Sequence, residues 1–182
     1  MKYSVKLALA FTFALMLLTS CTQLPIIGAS SDYKAVPPTP PSSTQSETEP
    51  GVEQAYYLLF EKLWAEDDGL NSDIKYLALD LSKAKLQDPD PLIALMEDFC
   101  AENGYKLITG TIEELIEQGY IQNLYFEDGV VISFADNELT GDKLKTDASK
   151  WRSGDGAIGA TYTVEKKSGK WTLTGEEGNW IS

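Results

Sequence analysis

Apolar residues recur along this chain in three rhythms, and each rhythm predicts a different kind of segment. From Leu7 to Leu18 they run almost unbroken, LALAFTFALMLL, behind Lys2 and Lys6. That run is too short to cross a hydrocarbon core of about 30 Å, which takes about 20 helical residues. A basic start, a short apolar run and then small residues is the layout of a secretory signal, predicted here over residues 1–21. The second rhythm is helical. In 53–67, EQAYYLLFEKLWAED, the residues Tyr56, Phe60, Leu63 and Trp64 share one face, and Gly69 and Asn71 supply the stop. The third rhythm is the alternation of a strand. Over 73–81, Ile74, Tyr76 and Ala78 point one way and Leu77, Leu79 and Leu81 the other. Apolar residues on both faces predict a central strand.

The turn Asp88-Pro89-Asp90-Pro91 leads into a predicted helix over 91–103, with Leu92, Leu95, Met96, Phe99 and Cys100 inward and Gly104 at its end. A short strand over 105–108 follows, which makes strand, helix and strand a candidate βαβ unit with parallel pairing. Thr111 and Glu114 form a capping box that opens a helix over 111–118, closed by Gly119. Leu124-Tyr125-Phe126, the turn Glu127-Asp128-Gly129 and Val130–Phe134 predict a hairpin. Two more strands are predicted near 157–166 and 170–174, joined by Lys167-Ser168-Gly169. The tail, 176–182, carries Trp180 and Ile181, which are expected to dock on the body. The fold class predicted is α+β: one compact domain over 53–182, with a mixed, mostly antiparallel sheet and about three helices.

Between the signal and this domain lies a segment without any rhythm. Residues 22–52 hold six of the eight prolines among Ser, Thr and Gly, and are predicted to be an extended or disordered spacer. Fully extended it reaches roughly 95 Å, and as a flexible coil roughly 30 Å. Charge narrows the possible partners. The whole chain carries −13; without residues 1–21, thirteen basic residues face 28 acidic ones, a net charge of −15. Such a surface repels nucleic acid. Histidine is absent, which excludes Ser-His-Asp and Cys-His catalysis and histidine-ligated zinc.

The four residues Leu18-Thr19-Ser20-Cys21 resemble the lipobox of bacterial lipoproteins. The resemblance implies cleavage before Cys21, a diacylglycerol on its thiol and a chain held on the extracytoplasmic face of the cell membrane. Acyl chains anchor by burying CH₂ groups, each contributing about 0.8 kcal/mol. Thr22 is not the Asp that resembles an inner-membrane retention signal. In the domain, DIKYLALDLS, GTIEELIEQGYI and KWRSGDGAIG resemble small uncharacterised lipoproteins of Gram-positive bacteria, and that resemblance brings no activity with it. With Cys21 lipidated, Cys100 alone remains, and no disulfide can form within the domain.

Candidate chemistry is sparse. Gly154-Asp155-Gly156-Ala157-Ile158-Gly159 matches a dinucleotide-binding loop in spacing, but a strand pattern follows it where a helix is needed. Arg152, the only arginine, stands beside Trp151; a guanidinium holds carboxylate or phosphate, and an indole adds an apolar wall. Asp67, Asp68, Asp73 and Asp80 are the nearest approach to an acidic constellation, and Asp80 shares a strand face with Ile74, Tyr76 and Ala78. Their spacing matches no EF-hand loop. Cys100, among acidic neighbours, reads as a buried small hydrophobe. The helices over 91–118 and the hairpin after them superficially resemble a winged helix, but 91–134 holds eight acids and one lysine, Lys106. Tyr56, Tyr57, Trp64, Trp151, Trp171 and Trp180 either pack the core or line a pocket for sugars or peptides.

The expectation is therefore a membrane-anchored extracytoplasmic binding or interaction module. Its ligand residues would be Arg152, Trp151 and Asp80, with no cofactor, metal or catalytic residue assigned. Its partners would be the membrane, through the lipid, and an envelope protein, peptide or small ligand. One alternative is a small carboxylate-dependent hydrolase of the cell envelope. Another is a structural or inhibitory lipoprotein acting through its acidic face.

Overall fold

A computed structural model describes residues 51–182; the predicted signal, Cys21 and nearly all of the spacer lie outside the described residues. The described residues begin with helix α1 (Glu53–Ala65) and a single 3-10 turn (Asp68–Asn71), then strand β1 (Tyr76–Lys83). Helix α2 (Asp90–Asn103), strand β2 (Lys106–Thr109) and helix α3 (Ile112–Glu117) follow. Four long strands complete it: β3 (Gly129–Leu139), β4 (Lys143–Ser153), β5 (Gly156–Lys167) and β6 (Lys170–Ile181). They form one sheet in the order β2-β1-β3-β4-β5-β6. β1 pairs in parallel with both β2 and β3, while β3 to β6 run antiparallel. Among the described residues the fold is α+β, with a mixed sheet and three α-helices.

The two faces of the sheet bury different things. Ala55, Tyr56, Leu59, Phe60 and Leu63 of α1 are wholly buried, as the 3.6-residue period requires. They pack with Leu92, Met96 and Cys100 of α2 on Leu77, Leu79, Ile132, Phe134, Leu144 and Tyr162. The opposite face carries a smaller cluster, in which Leu115 of α3, Ile121 and Phe126 cover Ala78 and Val131. β1 is thus apolar on both sides, as expected of a central strand. The β1-α2-β2 unit and the Thr111/Glu114 capping box are both present, the latter with both of its hydrogen bonds.

Three expectations need correction. Strand β4 was not predicted, because its inward positions read Leu144, Thr146, Ala148 and Lys150; two of these four are polar although both are fully buried. Residues 124–126 are not the first arm of a hairpin. Gln122 and Tyr125 instead close a tight turn on themselves, and the strand begins at Gly129. The tail does not dock as a separate segment either. It extends β6, pairing Trp180 with Gly159 and Ile181 with Ile158, and leaves Trp180 46% and Ile181 82% exposed.

The unforeseen strand carries the two cations that fasten the connection between α1 and β1. The Lys150 ammonium donates to the carbonyls of Asp67 (2.9 Å) and Trp64 (3.5 Å), to that of Glu66, and to Asn71 Oδ1 (3.1 Å). A helix leaves its last carbonyls without internal donors, and its C-terminal end favours positive charge. Arg152 does the same one turn further on. Nη1 donates to Ser72 O (2.7 Å) and Leu70 O (3.1 Å), and Nη2 to Glu127 O (2.7 Å). Between these anchors Asp67 and Asp73 hold left-handed backbone, at φ 47° and 55°.

Candidate aromatic binding site

The chain from Gly119 to Asp128 crosses the face of the sheet at the start of β1 and β3, and with Tyr76 it lines an open cavity of about 420 Å³. Its walls are Tyr76, Tyr120, Tyr125 and Phe126, and its polar lining is Gln122, Asn123, Glu127 and Asp128. This volume lies within the roughly 300–1,000 Å³ of small-molecule sites. Phe126 is the floor, only 1% exposed. Its ring stacks on Tyr76 (centroids 6.4 Å apart, planes at 18°), and Tyr76 meets Tyr120 edge to face at 5.1 Å. Gly129 makes this seat possible. A Cβ there would stand 2.4 Å from the Phe126 ring.

Backbone bonds hold the walls in place. Phe126 N donates to Arg152 O (2.8 Å), and the amides of Lys75 and Tyr76 share Asp128 O (2.7 and 3.0 Å). The Lys75 ammonium pairs with the Asp128 carboxylate at 3.0 Å, which raises the lysine pKa. Tyr125 is 45% exposed, with the Arg152 guanidinium 5.9 Å from its ring centroid. Among the described residues, the phenol groups of Tyr76, Tyr120 and Tyr125 and the side-chain amides of Gln122 and Asn123 make no hydrogen bond, which leaves them available to a ligand.

The rim also contains backbone strain. Asn123 and Leu124 have φ of 51° and 55°, and Gln122 and Tyr125 exchange both main-chain hydrogen bonds across them, at 3.1 and 2.9 Å. Two positive φ angles in a two-residue turn are the type I′ pattern, which favours Asn-Gly. Asn123 suits it; a leucine does not, and Leu124 is also 60% exposed. Leu124→Gly is expected to raise stability by about 1 kcal/mol, read as a higher melting temperature. A fall would show that the Leu124 side chain makes a stabilising contact.

The predicted ligand residues are not assembled in this cavity. Trp151 packs beneath the floor, against the cluster that contains Phe126. Arg152 stands behind Tyr125 and fixes the rim through Glu127 O, so its Nη atoms hold main-chain carbonyls. Asp80 is further along β1, opposite Ser133, whereas Tyr76 is opposite Gly129. It lines a separate cavity of about 210 Å³ with Ser82, Thr109 and Glu114, and its carboxylate accepts from Ser82 N at 2.9 Å.

The remaining candidates also find places. Gly154-Asp155 is the turn between β4 and β5, and Gly156–Gly159 already belong to β5. Cys100 is 2% exposed, and burial, with a smaller push from Glu97, raises its thiol to about 11. Among the described residues no three acidic or cysteine side chains are grouped to hold a metal ion. Tyr56 and Trp171 are core, Tyr57 and Trp64 pack against it, and Trp180 lies on the edge strand. The cavity uses other aromatics, three of them within GYIQNLYFEDG, where aromatic and amide residues crowd a turn-rich segment.

No protein-family model, curated protein or solved structure matches this chain significantly.

Proposed function

We propose that this protein is a membrane-tethered binding module: a lipid on Cys21 anchors it at the extracytoplasmic surface, and the aromatic cavity takes its ligand. The observation that supports the binding role is the cavity itself, where aromatic rings meet phenol and amide groups that have no hydrogen-bond partner among the described residues. The anchor rests on the residues Leu18–Cys21. Among the described residues no helix is long and apolar enough to cross a membrane. The hydrolase alternative asks for two carboxylates facing each other across a cleft. At this cavity Glu127 and Asp128 are neighbours in one turn, and Asp128 is paired with Lys75.

Each half has its own test. Cys21→Ala is expected to abolish lipid labelling and release the chain from the membrane fraction; unchanged retention removes the anchor from the proposal. For the cavity, a fragment library is screened by amide NMR on the full chain. Hits are expected to shift Gly119–Asp128 and to lose that effect in Tyr125→Ala. Hits that map elsewhere, or none at all, overturn the binding site.

A further inference from the structure

We infer that the ligand of the aromatic cavity is a neutral saccharide, an inference that rests on the binding role proposed above. The lining selects by elimination. An anion would meet the Glu127 carboxylate on a chain whose net charge is already −13. A purely apolar ligand would leave the Gln122 and Asn123 amides and three phenols desolvated and unpaired, which is unfavourable for each group.

A cation is the stronger competitor, because aromatic rings beside carboxylates commonly hold ammonium groups. Here one ring and one of the two carboxylates are already engaged, which leaves Glu127 alone to attract a cation. The Tyr125 ring faces the Arg152 guanidinium at 5.9 Å, so a second cation on that ring would be repelled by the first. The Asp128 carboxylate is paired with the Lys75 ammonium at 3.0 Å, which adds a like charge beside the lining.

A sugar fits what is left. Its hydroxyls both donate and accept, which matches phenols and amides that do the same and carboxylates that only accept. Its C–H faces lie against aromatic rings, and Tyr125 offers an exposed one, with the Arg152 guanidinium 5.9 Å from its centroid. The exposed, strained Leu124 beside them extends the apolar surface along the rim.

The test titrates the full chain with neutral oligomers of glucose, mannose, galactose and N-acetylglucosamine, and in parallel with tetramethylammonium and trilysine. Calorimetry and amide NMR are the readouts. At least one neutral oligomer is expected to bind and shift Gly119–Asp128. Its affinity should be unchanged between about 0.05 and about 0.5 M salt, a range that screens charge pairing strongly. Tyr125→Ala and Gln122→Ala should each weaken it by roughly tenfold. Tyr125→Phe, which keeps the ring and removes the phenol, should weaken it less. Both Tyr125 and Gln122 are exposed, and an unchanged circular dichroism spectrum verifies folding. If tetramethylammonium or trilysine binds here instead, with Tyr125 dependence and salt sensitivity, the saccharide inference falls and the binding role stands. If no probe and no fragment perturbs the cavity, both fall.

Discussion

Lys150→Met should lower the stability of this domain by about 3 kcal/mol. Methionine fills most of the same volume, so the loss is not one of packing. It comes from Glu66 O and Asn71 Oδ1, which lose the ammonium as their donor at a position where Lys150 is wholly buried, whereas Trp64 O keeps the Asn71 amide at 2.9 Å and Asp67 O keeps Leu70 N at 3.2 Å. Removing one partner of a buried polar set leaves the others desolvated, which costs more than the set contributed. The urea midpoint should fall while its slope stays the same. The pH dependence identifies the cause. Burial pushes the Lys150 pKa down to about 8, against the pull of Asp67, Glu66 and Asp68. In the unfolded chain it returns to the ordinary value of 10.5. Between those limits the unfolded state binds more protons, so this group makes stability rise with pH. Below 8 both states are protonated and its contribution is flat. Cys100, raised to about 11, and the buried phenols of Tyr56 and Tyr162 act in the opposite direction as pH passes their unfolded values. Those terms are common to both proteins and cancel in the difference. The gap between wild type and Lys150→Met should therefore widen above pH 8; a gap that stays constant or narrows contradicts the assignment.

Lys150 also explains where the sequence was legible and where it was not. Patterning works when burial follows apolarity. α1, β1 and α2 satisfy that, and their faces can be read from Tyr56, Leu77 and Met96 without coordinates. The capping box was legible because Thr111 and Glu114 act within one turn of chain. β4 breaks the rule, since Lys150 is buried by partners more than eighty positions away that no local window contains. The same strand hid the role of Arg152. A lone arginine beside tryptophan reads as a ligand hook, yet its partners are carbonyls brought in by the 3-10 turn and by Glu127. The aromatic cavity is not legible locally for a related reason. Tyr76 and Tyr120 meet only because β1 pairs in parallel with β3, which brings Tyr76 opposite Gly129 and beneath the loop that carries Tyr120. The clue that was available lay in the loop itself, where Tyr120, Tyr125 and Phe126 surround Gln122 and Asn123.

Phe60→Ala should be the most damaging single change, costing about 4 kcal/mol and lowering the melting temperature by roughly 15 °C. Phe60 is wholly buried, and its ring centroid lies 4.8 Å from Phe99, 5.6 Å from Tyr57 and 5.7 Å from Trp64. Trp64 in turn meets Phe99 at 5.2 Å and Tyr105 at 5.5 Å, so the removed ring belongs to a continuous aromatic cluster that joins α1 to α2 and, through Trp64 and Phe99, to Tyr105 before β2. Alanine leaves a cavity that these rings, already in mutual contact, are poorly placed to fill. The change also separates the two faces of the sheet. The aromatic cavity belongs to the cluster of Ala78, Leu115, Ile121, Phe126 and Val131, which shares β1 and β3 with the Phe60 cluster but none of its buried side chains. Below its lowered melting temperature, Phe60→Ala should therefore bind a ligand of the cavity with wild-type affinity. Gly129→Ala should do the reverse, forcing the Phe126 ring off its seat and weakening binding even where the domain remains folded. If Phe60→Ala weakens binding as much as Gly129→Ala does, the two faces are coupled through the central strand, and the cavity is not the independent site that its packing implies.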